Sequence, residues 1–242
     1  MAKYAMDLDR DLQTILDAPA YSLAETSRLV GISVGQVRRW LKGYEYKYPS
    51  ADGSIVIKGS QDPVVHRVGS EGTTYASFLD LIDLLFVKQF IRHGHSLQMV
   101  RLSLDEAREY LGTDHFARRI FFSSGHNIYL QMNGRGEAII QLMTGGQWVI
   151  APIIVALAKR IEFDEPTGWA RRWFPFEDNR LIVIDPFVSF GRPSIAGKGI
   201  STANVYDFYL GEEEKISSVC EWFNLARREG SAAIMFEQKL AA

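Results

Sequence analysis

Residues 21–41 read YSLAETSRLVGISVGQVRRWL, and no other stretch restricts the possible folds as tightly. Two short helical segments flank a single glycine. Ser22, with Glu25 three positions on, has the spacing of a capping box. Leu23, Thr26, Leu29 and Val30 fall on one inner face. Gly31 supplies the tight turn and Ser33 stands where an N-cap is needed. Val37, Trp40 and Leu41 then recur at helical spacing. The second helix therefore buries one side and presents Ser33, Gln36, Arg38, Arg39 and Lys42 on the others. A short helix with its apolar side docked and its basic side outward fits the DNA major groove.

Charge placement points the same way. The chain of 242 residues carries a net charge of −2. Between Arg28 and Arg67, however, seven Lys or Arg face three Asp or Glu, a local +4. The remainder is correspondingly acidic. A confined basic surface on an acidic protein is the pattern of a site-specific binder whose phosphate contacts lie on one face. Hydrophobic residues make up 47%, which supports a packed core. The single cysteine, Cys220, excludes an internal disulfide and suits a reducing cytosol. The N-terminal residues lack a signal-peptide core, and the longest apolar run, Trp148 to Ala158, is too short to cross a bilayer. The expectation is a cytoplasmic protein with no membrane association.

Residues 1–20 suggest a short helix or arm. After the first helix pair come Ser54–Lys58 and Val64–Val68, which alternate like strands and predict a β-hairpin acting as a wing. Lys47, Lys58 and Arg67 are its candidate phosphate contacts. Phe78, Leu81, Ile82, Leu85, Phe86 and Phe90 predict a strongly amphipathic helix ending near His93 and Gly94. Ser96 caps a following helix that Gly112 ends. Residues 118–132 predict a hairpin, Ala138–Met143 a strand and Gln147 to Ile161 a helix. The segment 163–176, rich in Pro, Gly and aromatics, reads as a packed linker. Leu181–Ile184 predicts a short strand. From Ser201 onward three helices are expected. Val205, Phe208 and Tyr209 would line the first, Ile216, Val219, Trp222 and Phe223 the second, and Ala233, Met235, Phe236 and Leu240 the third. Three such helices make a homeodomain-like bundle.

Two family resemblances sit on these residues. Tyr21, Ala24, Gly31, Ile32, Ser33, Val37, Arg38 and Trp40, then Tyr75, Leu81, Ile82, Phe90, Gly94, Ser96, Leu97 and Val100, make the region from about 21 to 111 similar to the MerR family of transcription regulators. That likeness implies a winged helix-turn-helix with Tyr75 on the wing. It departs from the family in a longer wing, in Thr73 where an Arg often stands, and in lacking the long dimerising coiled coil. Residues 182–237 resemble the family known as domain of unknown function 433 through Asp185, Pro186, Gly191, Pro193, Gly197, Ile200, Thr202, Tyr206, Gly211 and Ala233. A MerR-like head joined to this tail is similar to larger VapB-type antitoxins. The resemblance implies a repressor of its own operon, bound to double-stranded operator DNA, that neutralises a PIN-domain ribonuclease toxin. A single small head reads few base pairs, so a homodimer on a palindrome is expected.

No catalytic constellation emerges. GRPSIAGKG, 191–199, misses the phosphate-loop spacing and has Gly199 where Mg²⁺ needs Ser or Thr. His93, His95, His115 and His126 lack the partners of a zinc site. Asp7, Asp9 and Asp11 lack the glycine and distal Glu of a calcium loop. No cofactor or metal is expected, and no enzymatic activity.

The sequence thus predicts a mainly α protein with small β-hairpins, an α+β chain. It divides into a winged helix-turn-helix over 1–115, a middle hairpin and helix region over 116–176, and a trihelical unit over 177–242. Ser33, Gln36, Arg38, Arg39, Lys42, Lys47, Lys58 and Tyr75 are the DNA candidates. Gln36 and Arg39 are assigned to base edges. Trp169, Arg171, Arg172, Trp173 and Phe174, with Phe176 beside them, form the candidate toxin contact: aromatic groups for a patch, arginines for an acidic metal pocket. A ligand-responsive helix-turn-helix regulator without a toxin partner, its pocket in 118–161, is the alternative. A protein-interaction scaffold that never meets DNA is a third.

Overall fold

The computed structural model describes residues 10–49, 56–65, 74–102, 105, 115–118, 156–176 and 179–241. About half of these are helical, with small antiparallel strand pairs, a mixed α+β arrangement. The chain divides into two compact units, Tyr21–Ile154 and Met1–Ala20 with Val155–Ala242. The hairpin expected at 118–132, the strand at Ala138–Met143, Arg67, Gly112 and most of the helix from Gln147 lie outside the described residues. No helix among the described residues is long and apolar enough to cross a membrane.

In the unit Tyr21–Ile154, β1 (Tyr21–Ser22) pairs antiparallel with β4 (Tyr75–Ala76). Between them run α2 (Leu23–Val30), α3 (Val34–Lys42), β2 (Tyr44–Pro49) and β3 (Val56–Gln61); α1 is residues 10–16, ahead of this unit. Helix α4 (Phe78–Arg92) packs against both α2 and α3, and α5 begins at 97. Every residue of α4 from Phe78 to Val87 is buried. This corrects the amphipathic expectation. A helix surrounded by neighbours needs apolar residues all round, not a stripe. Two carboxylates enter with it. Asp80 accepts from the Ser77 amide at 2.8 Å in a buried capping box. Asp83 lies 2.5 Å from Nδ1 of His115 and accepts from the Ala117 amide at 3.1 Å. Each buried acid thus has donors, as burial of a charge demands.

The hairpin also differs from its prediction. Strand β2 pairs with β3 from Tyr44↔Gln61 to Pro49↔Val56. Of the predicted strand Ser54–Lys58, the described residues Val56–Lys58 lie in β3, whereas Val64 and Val65 are not in a strand. They are fully buried, and their amides donate to the carbonyl of Trp40 at 2.8 and 3.1 Å, satisfying the end of α3. Their apolar character serves the core and not a ladder.

In the other unit, β5 (Ile161–Phe163) pairs with β6 (Ala170–Trp173), and β7 (Ile182–Val183) pairs with β8 (Ser194–Ile195). A bridge between Trp173 and Ile184 joins the two ribbons. Residues 163–176 are therefore sheet and turn, not linker. Ile161 begins a strand, so the preceding helix α6, described over 156–158, ends short of its predicted limit. Helices α7 (Thr202–Gly211), α8 (Ile216–Trp222) and α9 (Arg227–Ala241) contact one another, and α9 also meets β7 and β8. Gly230 allows the closest approach, since a Cβ there would meet Ile216 Cδ1 at 3.1 Å. Val205, Val219, Ala233 and Phe236 are buried as expected. Trp222 and Met235 are not. They are 71% and 62% exposed, on the outer sides of α8 and α9.

Candidate nucleic-acid interface

Local chemistry builds the α2–α3 pair with little help from elsewhere. Ser22 and Glu25 form a full capping box at the start of α2. Gly31 then adopts φ +70°, a left-handed conformation that costs glycine least. Ser33 caps α3 in the same way, its Oγ accepting from the Gln36 amide at 3.2 Å. Val37, Trp40 and Leu41 fix the buried side of α3, each 4% exposed or less. The opposite side carries Gly35, Arg38, Arg39 and Lys42, all exposed, with Gln36 half-buried and Val34 41% exposed on its flanks. Arg38 and Arg39 make no ion pair among the described residues. No acidic residue stands on the helix to neutralise them.

Gly43 turns the chain from α3 straight into β2. At φ +69° it sits where a Cβ would lie 2.3 Å from the Gln61 carbonyl, so only glycine closes the base of the hairpin. All six residues of β2 are exposed. Lys47 stands directly across from Lys58. Like charges in that register repel, and a bound anion relieves them. The alternate face holds a feature that the sequence reading missed: Tyr44, Tyr46 and Tyr48 form a ladder, with ring centroids 6.1 and 5.9 Å apart. Tyr46 lies over Gly59, where a Cβ would come within 2.5 Å of its ring. The signal was present as a tyrosine at every second position, which is the period of a strand. Tyr75 is 50% exposed on β4, opposite Ser22 and so at the start of α2.

The second set of candidates lies in the other unit and divides. Trp169, Trp173 and Phe174 are interior, at 3%, 3% and 5% exposure. The expected exposed aromatic patch is therefore core. Arg171 is half-buried with its guanidinium 4.9 Å from the Phe187 ring centre. Arg172 donates from Nε to Asp185 at 2.6 Å and from NH1 to Glu162 at 3.4 Å. The hydrogen bond that Arg172 donates to Asp185 leads the causes that raise the Arg172 pKa above its ordinary value. Asp185, 1% exposed, also accepts from the Phe187 amide at 2.9 Å. Arg172 is thus the counter-ion of a buried carboxylate. Phe176 packs edge-on against Phe236. Outside this core stand Phe190, 92% exposed with φ +55°, and Trp222, whose ring stacks on Phe208 at 5.4 Å. Among the described residues no group of three His, Cys, Asp or Glu is placed to hold a metal.

No family model matches the chain. It is 24% identical to "Putative antitoxin VapB45" of Mycobacterium tuberculosis, over 81% of this chain and 85% of that protein. It is also 24% identical to uncharacterized protein Rv2308 of the same organism, over 97% of this chain and 96% of that one. Among solved structures, the crystal structure of Rv2018 from Mycobacterium tuberculosis superposes with a TM-score of 0.64 at 19% identity. The match covers 90% of this chain and 99% of that one. The fold is shared at that level of identity.

Proposed function

We propose that this chain is an antitoxin-type regulator: it binds operator DNA through α3 and the β2–β3 wing, represses its own operon and restrains a PIN-domain ribonuclease toxin. The observation that carries the DNA half is the exposed, acid-free face of α3 bearing Arg38, Arg39 and Lys42. Two capped helices meeting at Gly31, followed by a hairpin with Lys47 opposite Lys58, support a winged helix-turn-helix of MerR-like type. Gln36 and Arg39 address base edges, while Arg38, Lys42, Lys47 and Lys58 take phosphates. One such head reads few base pairs, so a homodimer on a palindrome follows. The likeness to VapB45 supports the antitoxin half.

With Trp169, Trp173 and Phe174 inside, the toxin contact passes to apolar groups that the fold leaves outside. Trp222, backed by Phe208, is the first of these, with Arg171 beside Phe187 contributing charge. The trihelical tail, α7 to α9, then serves as a protein-binding unit and not as a second DNA head.

Co-expression with the product of the adjacent gene, followed by a gel shift on the chain's own upstream DNA, tests both halves. A stable complex and a sequence-specific shift support the reading. DNA binding without any toxin partner favours the ligand-responsive regulator, and no specific shift removes the operator role.

A further inference from the structure

One end of the Gln36 side chain is already committed. Its Oε1 accepts from the Ser33 amide and from Ser33 Oγ, each at 3.0 Å. A backbone N–H can only donate, so the atom facing it must be the oxygen. The amide nitrogen therefore points away from the cap, and nothing among the described residues accepts from it. Ser33 Oγ is used in both senses, donating to Oε1 and accepting from the Gln36 amide. Arg38 and Arg39 have donors and no acceptor. No carboxylate occurs anywhere from Val34 to Lys42. Lys42 likewise has donors and no acceptor, and the remaining exposed side chain of the helix is the apolar Val34.

Resting on the DNA-binding reading above, we infer that α3 is a donor-only reading head. It selects guanine through N7 and O6 and thymine through O4, with Val34 against the thymine 5-methyl group. It makes no contact that requires the amino group of adenine or cytosine as donor. A glutamine with both ends free takes adenine in a bidentate pair, its oxygen accepting from N6 and its nitrogen donating to N7. The capping box removes the oxygen from that role. Guanine and thymine are the two bases whose major-groove edges carry acceptors and no donor.

Selection from a random-sequence duplex library with the full chain, followed by base-analogue substitution at the protected positions, reads this out. At each base pair contacted by α3, the contacted atoms are expected to be guanine N7 and O6 or thymine O4 and the 5-methyl group. Replacing a contacted guanine by 7-deazaguanine, or a contacted thymine by deoxyuridine, lowers affinity about fivefold or more. Gln36→Glu keeps the acceptor of the cap, as Glu25 provides it for α2, and removes the amide donor. That variant is expected to keep its Tm and to lose preference at a single base pair by roughly tenfold, with preference elsewhere retained. An enriched site in which adenine N6 or cytosine N4 is the required contact overturns the donor-only assignment and leaves DNA binding standing. A library that yields no enriched sequence at all overturns the DNA reading and this inference together.

Discussion

The Nζ of Lys88 donates a 2.7 Å hydrogen bond to the carbonyl of Val30, tying α4 to the last turn of α2. The bond holds the α2–α3 corner from behind, since a Cβ on Gly31 would reach Lys88 Nζ at 3.0 Å. Lys88→Met keeps the aliphatic stem and removes the donor from a part-buried carbonyl. Stability should fall by about 1–2 kcal/mol, read by urea unfolding. Gly31→Ala should cost about 1–2 kcal/mol through its left-handed φ alone. Full stability in both variants would mean that the corner is held otherwise.

Gly35 separates fold from function. It lies on the exposed side of α3, and a Cβ there would meet nothing nearer than Ser33 Oγ at 4.0 Å. Gly35→Ala should therefore stabilise the free protein by about 0.5–1 kcal/mol through helix propensity. If α3 enters a groove, the same methyl stands between helix and bases. Affinity for the operator should drop while Tm rises, measured by fluorescence anisotropy and thermal unfolding on one preparation. A rise in both would place this face away from the DNA.

Glu229 predicts a pH dependence. The Ala226 amide donates to its carboxylate at 2.8 Å and, with Lys198 at 3.4 Å, holds its pKa below the ordinary glutamate value. A depressed carboxyl pKa stabilises the fold wherever the unfolded carboxyl is ionised. That contribution vanishes as pH falls through the folded value. Glu229→Gln should lower Tm by a constant amount above about pH 5, and the gap should close toward pH 3. A gap independent of pH would assign its role to packing alone.

Trp222 tests the partner surface. It is 71% exposed, and its ring stacks on Phe208. Trp222→Ser should cost about 1 kcal/mol of stability or less. It should sharply reduce co-purification with the toxin while leaving operator binding unchanged. Intact co-purification would move the contact elsewhere on the chain.

The helix pair was legible in the sequence because its signals are local. Two Ser caps with their partners three residues on, one glycine and an i, i+3, i+4 apolar set describe α2 and α3 almost completely. The hairpin was half legible. Its alternating tyrosines carry the strand period, but the Val64–Val65 pair competed for the same reading and lost because Trp40 needed donors. Segment 163–176 misled for a similar reason: Pro, Gly and aromatics suggest a linker, while the pairing of Ile161 with Trp173 depends on residues twelve positions apart. Burial of Trp169 and Trp173, like exposure of Trp222, is set by tertiary contacts that periodicity does not contain. The engagement of Gln36 in its own cap could have been anticipated from the Ser33 spacing, since Gln is one of the two capping-box residues.

The exposed cationic side of α3 as the sequence reader is tested most directly by anisotropy titrations of the chain's own upstream DNA and a scrambled duplex, at several salt concentrations. The unmodified chain, Arg39→Ala and Lys42→Ala are compared. Arg39→Ala should lose about 1–3 kcal/mol on the specific duplex and little on the scrambled one. Lys42→Ala should weaken both alike and lower the salt slope by about one. Equal losses on both duplexes for the two variants, or no preference for the upstream DNA by the unmodified chain, would contradict the account.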